Sequence, residues 1–318
     1  MQHAWMRFCF FLIFVSTCGS AAGADSAAGN ISARQELWVI DTRCAPRCGD
    51  LEAGFAQLAY CRLEPCGSCG GTCGDAAAFH QGDDRAVPTT ILIHGNRVNA
   101  ADAIERGWSY FHRMAEQAAG HPFRLVVWSW PADRIGIRPR PDAQIKAEWS
   151  DAESYYIARF IQQTRPGVPV CLVGYSYGAR AAGGALELLA GGEICGDRLP
   201  PGSFKPSEPA RPIRVMLVAP AIDDTWLCPG CRYGHAPAVV QRMLITEDCL
   251  DRVLRFYSRL YCRHGPQALG AVGPACDDEK FERVDVACWV GKIHDWYRYE
   301  SAEPVDEHRP WYTFLNDQ

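Results

Sequence analysis

The sequence lacks several features that mark common classes of function. It has no surplus of basic charge, because 32 Lys and Arg stand against 37 Asp and Glu for a formal charge of −5. The whole-chain charge therefore offers no electrostatic footprint for nucleic acid or an anionic membrane, and we expect no nucleic-acid partner. No repeat of fixed period occurs, and the ordinary composition excludes collagen, a long coiled coil and wholesale disorder.

The chain also has no apolar run long enough to cross a bilayer, which takes about 20 residues. The run Phe8 to Val15 follows Arg7 and leads to Ala22-Gly23-Ala24, the small-residue pattern that a signal peptidase cleaves. We expect residues 1–24 to be a cleaved signal peptide, a secreted or periplasmic protein, and no transmembrane segment in the mature form. Lipoprotein anchoring at Cys18 is the alternative, although Thr17 fits a lipobox poorly.

Cysteine is abundant, with 16 in the chain, and six of them fall within residues 44–73. In an oxidising compartment such cysteines favour disulfides. The pairs Cys66-x-x-Cys69 and Cys228-x-x-Cys231 have the spacing of zinc ligands, but secretion favours disulfides and we expect no metal site. We interpret residues 43–86 as a cysteine-rich insertion that builds little core of its own, with a helix over 51–62. Cys171, on an apolar strand, is expected to be a free thiol.

Short apolar runs alternate with amphipathic ones from residue 87 onward, after a first strand at 36–40. This alternation predicts an α/β fold with a mainly parallel sheet and helices on both faces, in a single domain over 25–318. The predicted strands are 89–93, 124–128, 168–173, 213–219, 242–245 and 284–290. The predicted helices are 101–119, 143–163, 177–189 and 251–261.

The sharpest motif is Gly174-Tyr175-Ser176-Tyr177-Gly178, which lies between an apolar strand and a helix rich in small residues. A serine on a tight strand-to-helix turn projects its hydroxyl clear of the sheet, and its backbone needs glycine on both sides. Ser176 is therefore the candidate nucleophile. The N–H of Tyr177, at the start of the helix, points to where an oxyanion would form.

A second motif, Ile93-His94-Gly95-Asn96, ends an earlier strand. Such a loop can donate another backbone N–H to the oxyanion, and we assign this role to Asn96, with Arg97 as the alternative. His94 is interpreted as a structural histidine that orders the loop.

These two motifs, with an acid and a late histidine after them, resemble the α/β-hydrolase superfamily over about residues 87–300. The runs Val127 to Pro131 and Ala219 to Asp223 are similar to a group of bacterial secreted α/β-hydrolases. The resemblance implies the α/β-hydrolase fold and serine hydrolase chemistry without a cofactor.

In the α/β-hydrolase arrangement that the motifs resemble, the acid and the base follow the nucleophile along the chain. His294 stands at the family position of the base, beyond the last predicted strand. Asp251 matches the common acid loop, just before a helix, and Asp248 and Asp223 are the second and third choices. Only one of Asp248 and Asp251 should matter for catalysis, because two carboxylates three positions apart in the chain point to different regions of space.

Two further expectations concern the surroundings of the site. Trp128, Trp130 and Tyr175 are candidate walls for a substrate, although aromatic residues at strand ends commonly fill the core. Only about 20 residues separate the strands near 219 and 242, so a large cap domain does not fit there. The sequence predicts a secreted esterase or lipase-like serine hydrolase acting on a small-molecule or lipid-like ester; the alternatives are a peptidase or amidase with the same triad and a catalytically silent binding protein.

Overall fold

A computed structural model of the chain describes residues 34–64, 72–200, 211–261 and 265–317. The expected signal peptide at 1–24, Cys18 and the pair Cys66 and Cys69 lie outside these residues. Within the described part of the chain, no helix is both long and apolar enough to span a membrane.

Within these described ranges, nine strands form one sheet in the order β3-β2-β1-β5-β4-β6-β7-β8-β9. Their bounds are β1 Gln35–Asp41, β2 Ala59–Leu63, β3 Thr72–Gly74, β4 Thr89–Ile93, β5 Phe123–Ser129, β6 Val170–Tyr175, β7 Ile213–Val218, β8 Arg242–Glu247 and β9 Phe281–Asp285. All neighbouring pairs from β1 to β9 are parallel, whereas β2 and β3 are antiparallel additions at one edge. The predicted mainly parallel sheet is confirmed.

The helices connect these strands. Their bounds are α1 Leu51–Phe55, α2 Ala76–Gln81, α3 Ala100–Ala118, α4 Pro139–Gln163, α5 Tyr177–Leu189, α6 Arg252–Tyr261, α7 Leu269–Val272, α8 Ala287–Val290, α9 Trp296–Glu300 and α10 Glu303–Tyr312, with short 3-10 helices at Ala236–Val239 and Leu315–Asp317. The four helices predicted beyond residue 87 are all found. The central strands β4, β5, β6 and β7 are buried along their whole length, as expected for a sheet covered on both faces.

The chain reverses its direction of travel across the sheet at β4. The connection from β4 to β5 moves one way, and the next one passes back over β4 to β6. Crossovers between parallel strands are right-handed in almost all proteins, so this order is expected to place α3 and α4 on opposite faces and to leave a crevice between the carboxyl ends of β4 and β6. Ligands of open α/β sheets bind in such a crevice, so the topology itself places a site there.

Two predicted elements are wrong. The helix expected over 51–62 is a short helix, α1, followed by strand β2, because residues 59–63 pair with β1. The strand expected over 284–290 ends at Asp285, whose side chain accepts the N–H of Ala287 at 2.9 Å and starts α8. In both places a tertiary or capping contact overrides the local apolar pattern.

The cysteine-rich insertion continues the central sheet through β2 and β3 and adds core residues. Phe55, Tyr60 and Phe79 are all buried in the main hydrophobic core. The insertion therefore shares the core of the sheet more closely than its composition indicated. Cys61 and Cys73 face each other in register across β2 and β3, with their Sγ atoms 2.7 Å apart.

Candidate active site

Ser176 occupies the sharp turn between β6 and α5. Its backbone has φ 55° and ψ −112°, in a region that non-glycine residues rarely adopt, and it is the N-cap of α5. Hydrogen bonds fix this geometry, because Ser176 N–H donates to Val218 O at 2.9 Å and Ser176 O accepts Ala179 N–H at 3.1 Å. Ser176 is 7% exposed, so the nucleophile is largely shielded from solvent.

The glycines on either side of Ser176 are required by close backbone approach. A Cβ added to Gly178 would lie 2.0 Å from Ile93 O, and one added to Gly174 would lie 2.7 Å from Ala179 Cα. Neither neighbour can retreat, because both atoms belong to the backbone of the central elements. The motif is therefore a packing requirement of this turn as well as a sequence signature.

His294 links Ser176 to Asp251. Its Nε2 lies 2.9 Å from Ser176 Oγ, and its Nδ1 lies 2.7 Å from Asp251 Oδ2. The ring stacks on Tyr175, with 5.2 Å between ring centroids and 26° between planes. The structure thus brings the three predicted side chains, from the connections after β6, β8 and β9, into one hydrogen-bonded chain at the carboxyl edge of the sheet.

Asp251 is fully buried and stays an acceptor for several donors. Its Oδ1 accepts the N–H groups of Val253 at 2.8 Å and Leu254 at 3.1 Å, and its Oδ2 accepts the hydroxyl of Tyr299 at 2.7 Å. Burial opposes ionisation, but the hydrogen bonds from His294 and Tyr299 and the charge of His294 outweigh it, so the pKa of Asp251 lies below its usual value. The carboxylate is therefore kept ionised beside the histidine.

The two other candidate acids make their shortest hydrogen bonds elsewhere, although the hydroxyl of Tyr299 also lies 3.4 Å from Asp248 Oδ2. Asp248 accepts the N–H groups of Leu250 at 2.8 Å and Asp251 at 3.2 Å, which shapes the turn that carries Asp251. Asp223 accepts the hydroxyl of Tyr257 at 2.7 Å. Burial raises the pKa of both carboxyl groups. Neither hydrogen-bonds to His294 among the described residues, which favours Asp251 as the orienting acid.

The loop after β4 lies against the nucleophile. A Cβ on Gly95 would lie 3.1 Å from Ser176 Cβ, so this loop packs directly against the nucleophile. The N–H of Arg97 is already donated to Ala132 O at 2.7 Å and to the Asn96 side chain at 2.8 Å. Of the two predicted donors in this loop, the geometry therefore favours Asn96. Tyr177, the other predicted donor, opens α5 directly after Ser176.

Asp142 holds this loop in place and was not singled out by the sequence. Its Oδ2 accepts hydrogen bonds from Asn96 Nδ2 and Arg97 Nε, both at 3.2 Å, and its Oδ1 accepts one from the N–H of Ile135 at 2.9 Å.

Tyr299 is a second residue near the triad that the sequence analysis missed. Its position five residues after His294 could have suggested contact across one turn, but nothing marks it apart from Tyr297.

Two of the predicted substrate walls are core residues instead. Trp128 and Trp130 are both 0% exposed, and their indole N–H groups are donated at 2.8 Å to Glu153 and to the carbonyl of His94. Tyr175 is buried too, but it contacts the site through its stacking on His294. The correction follows from β5, which contains Trp128, directly precedes Trp130 and is buried along its whole length.

His94 has a structural position, as predicted. It is buried, stacks on Trp130 at 5.6 Å and lies 3.0 Å from Gly95 O through Nδ1. Burial lowers its pKa to about 3, so the ring is neutral at physiological pH.

The connection between β7 and β8 contains no large cap domain, as the sequence predicted. It is a compact loop with one 3-10 helix, and Cys228 forms a disulfide with Cys276, whose Cα lies 5.6 Å away. Cys228 is thus unavailable as a zinc ligand beside Cys231. Among the described residues, no group of three or more His, Cys, Asp or Glu side chains is arranged to hold a metal ion.

Comparison with known proteins identifies the family to which the chain belongs. The sequence model of the alpha/beta hydrolase family matches residues 90–314 of this chain, a range that includes Ser176, Asp251 and His294. No curated protein matches the sequence at a significant level.

Solved structures show distant similarity. A propionate-bound esterase, Est2, from the planctomycete Thermogutta terrifontis has 13% identity and a TM-score of 0.34, over 82% of this chain and 87% of that one. A lipase-esterase related protein from Clostridium acetobutylicum has 11% identity and a TM-score of 0.31, over 74% and 96%. An uncharacterised Bacillus cereus protein has 15% identity and a TM-score of 0.35, over 74% of this chain and 61% of that one, so this chain spans less than two thirds of its length.

Proposed function

Because the chain belongs to the alpha/beta hydrolase family, we propose that it is a secreted serine esterase that cleaves a carboxylic ester through an acyl-enzyme on Ser176. One observation carries this proposal. The Ser176 hydroxyl, the His294 ring and the buried Asp251 carboxylate form a continuous chain of hydrogen bonds of 2.9 and 2.7 Å. This is the arrangement that activates a serine nucleophile.

In the acylation step, Ser176 Oγ forms a bond to the carbonyl carbon of the ester while His294 Nε2 takes its proton. Asp251 fixes the ring through Nδ1 and stabilises the imidazolium that results. The N–H groups of Asn96 and Tyr177 are the donors that we assign to the oxyanion. Collapse of the tetrahedral intermediate breaks the bond to the alkoxide, which leaves with the proton from His294 Nε2.

Deacylation repeats these steps with water. His294 Nε2 takes a proton from the water as its oxygen attacks the acyl carbon, and returns that proton to Ser176 Oγ when the acid is released. Ester hydrolysis has a lower intrinsic barrier than amide hydrolysis, because the amide carbonyl is more strongly stabilised by resonance and its nitrogen must be protonated before it leaves. This difference in intrinsic reactivity supports the choice of an ester.

Secretion is part of the proposal and has two supports. The first residues have the charge and apolar pattern of a signal peptide. The Cys228–Cys276 disulfide is a bond that persists in an oxidising compartment.

The test is covalent labelling. The oxidised protein is incubated with a fluorophosphonate probe and assayed with p-nitrophenyl butyrate, beside Ser176→Ala. We expect labelling and hydrolysis of the wild type, and neither in the variant. Unchanged labelling of Ser176→Ala would refute the nucleophile assignment, and cleavage of peptide substrates in preference to esters would refute the substrate class.

A further inference from the structure

Two segments beside the catalytic residues combine arginine with apolar side chains. The first, Arg134-Ile135-Gly136-Ile137-Arg138-Pro139-Arg140, connects β5 to α4, and all seven residues are exposed. Ile137 is 86% exposed, the highest exposure among the large hydrophobic residues of the described chain. The second segment is helix α6, Arg252–Tyr261. Neither contains an Asp or Glu.

Helix α6 has two faces of different character. Leu254, Tyr257 and Leu260 are buried against the body of the protein. The opposite face is exposed and consists of Arg252, Val253, Arg255, Phe256 and Arg259. Large apolar side chains beside arginines on the outward face of a helix are typical of a surface that meets lipid.

The two segments meet in the folded protein. Arg140 Nε and Gln144 Nε2, at the start of α4, both donate to Leu260 O at 3.0 Å. At the other end of α6, Arg252 N–H lies 3.5 Å from Lys292 O, next to Ile293, which is half exposed. We call these two segments together with Trp289 and Ile293 the rim surface. It borders the triad directly, because Ile293 precedes His294.

The rim surface carries positive charge that the protein leaves unneutralised. Among the described residues, none of its six arginines lies within 4.0 Å of a carboxylate. By contrast, 17 other Arg and His side chains in the described chain do form such ion pairs. The nearby acids Asp285 and Asp295 accept backbone N–H groups at helix starts. The whole-chain charge of −5 thus conceals a local basic surface that sequence composition did not indicate.

We propose that the rim surface docks on an anionic lipid–water interface. Its guanidinium groups would pair with lipid phosphates while Ile137, Phe256 and Trp289 enter the acyl boundary. Nucleic acid or an acidic polysaccharide would satisfy the arginines alone and leave these apolar side chains in water, so lipid accounts for both halves of the surface. Docking concerns binding only; presentation of Ser176 to an ester in that interface rests in addition on the proposed function.

The experiment uses full-length Ser176→Ala, so that hydrolysis does not alter the lipid. It is sedimented with vesicles of phosphatidylcholine alone and of phosphatidylcholine with an equal amount of phosphatidylglycerol. We expect binding to the anionic vesicles that weakens as salt is raised, and little binding to the neutral ones. Adding R252Q/R255Q/R259Q should reduce the partition coefficient roughly 100-fold, at about 1 kcal/mol for each arginine.

Matched variants separate this surface from general charge. R85Q/R198Q/R242Q removes three exposed arginines outside the rim surface and should leave most of the binding intact. Ile137→Ser and Phe256→Ser should each weaken binding without a change in net charge. Circular dichroism checks that every variant is folded.

The proposal is overturned if neither vesicle is bound, if both arginine triples weaken binding equally, or if the two serine variants bind as the parent does. Tighter binding to heparin or DNA, unaffected by Phe256→Ser, would also overturn it. Failure of the esterase proposal would appear separately, as absent fluorophosphonate labelling of the wild type.

Discussion

Tyr299 donates its hydroxyl to the same oxygen of Asp251 that meets His294, at 2.7 Å in both cases. The tyrosine is buried in α9, and its ring also lies against Tyr175. Burial and the neighbouring Asp251 raise the pKa of Tyr299, so it stays a donor across the whole physiological range. Tyr299 is therefore a positioning residue, because it acts on the nucleophile only through Asp251 and His294.

Tyr299→Phe should lower kcat about tenfold with little change in KM, since a hydrogen bond to a charged group contributes about 1.5–3 kcal/mol and part of it is recovered by relaxation. It also removes one of the contacts that lowers the pKa of Asp251. The variant should therefore lose activity at a higher pH than the wild type on the acidic side. A pH profile of p-nitrophenyl butyrate hydrolysis measures both effects.

Tyr297→Phe is the matched control. Its hydroxyl donates to Glu105 at 3.1 Å on the surface, outside the triad. A purely structural role for Tyr299 would lower the amount of active protein in Tyr299→Phe without moving the acidic limb, and that result would contradict the positioning role.

Asp251→Asn should mainly reduce kcat, whereas Asp248→Asn should mainly reduce stability. The first leaves His294 without its anionic partner and should reduce kcat by about 10³ to 10⁴, the scale set by the corresponding substitution in a serine protease. The second weakens two turn hydrogen bonds and should cost about 1–2 kcal/mol in the free energy of unfolding, with kcat within a few-fold of the wild type. Urea titration and steady-state kinetics separate the two, and an equal loss of kcat in both variants would refute the assignment of Asp251 alone.

The central sheet and its main helices were predictable because they follow from local apolar periodicity. Helix α5, Tyr177–Leu189, has the predicted bounds, and the predicted free thiol Cys171 is buried without a disulfide. What failed depends on long-range partners. Strand β2 exists because β1 offers it an edge, and periodicity in residues 51–62 contains no information about that edge.

The same division holds within the site. Ser176 was predictable because two glycines mark a backbone turn, and His294 and Asp251 because chain order restricts the choice. Tyr299 and Asp142 reach the site through side-chain hydrogen bonds to residues more than 40 positions away in the sequence, so no local pattern identifies them. Trp128 was wrongly predicted as a substrate wall for a related reason. The sequence pattern of an aromatic residue at a strand end is the same whether its side chain faces the core or a pocket.

The Cys228–Cys276 disulfide closes a loop of 48 residues between β7 and β9. On the chain-entropy model, a loop of this length stabilises the folded state by about 4 kcal/mol. Cys276→Ser should therefore lower the urea midpoint strongly, whereas Cys288→Ser, at an exposed cysteine outside any disulfide in the described residues, should change it little. Equal midpoints for the two variants under oxidising conditions would contradict a stabilising disulfide.

Glu153 gives a pH dependence that is independent of the triad. Its carboxyl group is 1% exposed, accepts Trp128 Nε1 at 2.8 Å and lies 2.9 Å from Thr42 Oγ1. Burial raises its pKa to about 7 from the ordinary 4.5. The folded state therefore holds this proton more tightly than the unfolded state, so its contribution to stability is complete below about pH 4.5 and is lost as the pH rises through about 7.

Glu153→Gln keeps the shape of the side chain and removes the proton. From pH 5 to pH 8, the free energy of unfolding of the wild type should fall relative to that of the variant by up to about 3 kcal/mol, as measured by urea titration. Glu148→Gln, at an exposed position of the same helix, should follow the wild type at both pH values. If the wild type and Glu153→Gln instead change in parallel with pH, then Glu153 is ionised in the folded protein throughout this range, and Thr42 and Trp128 stabilise a buried anion.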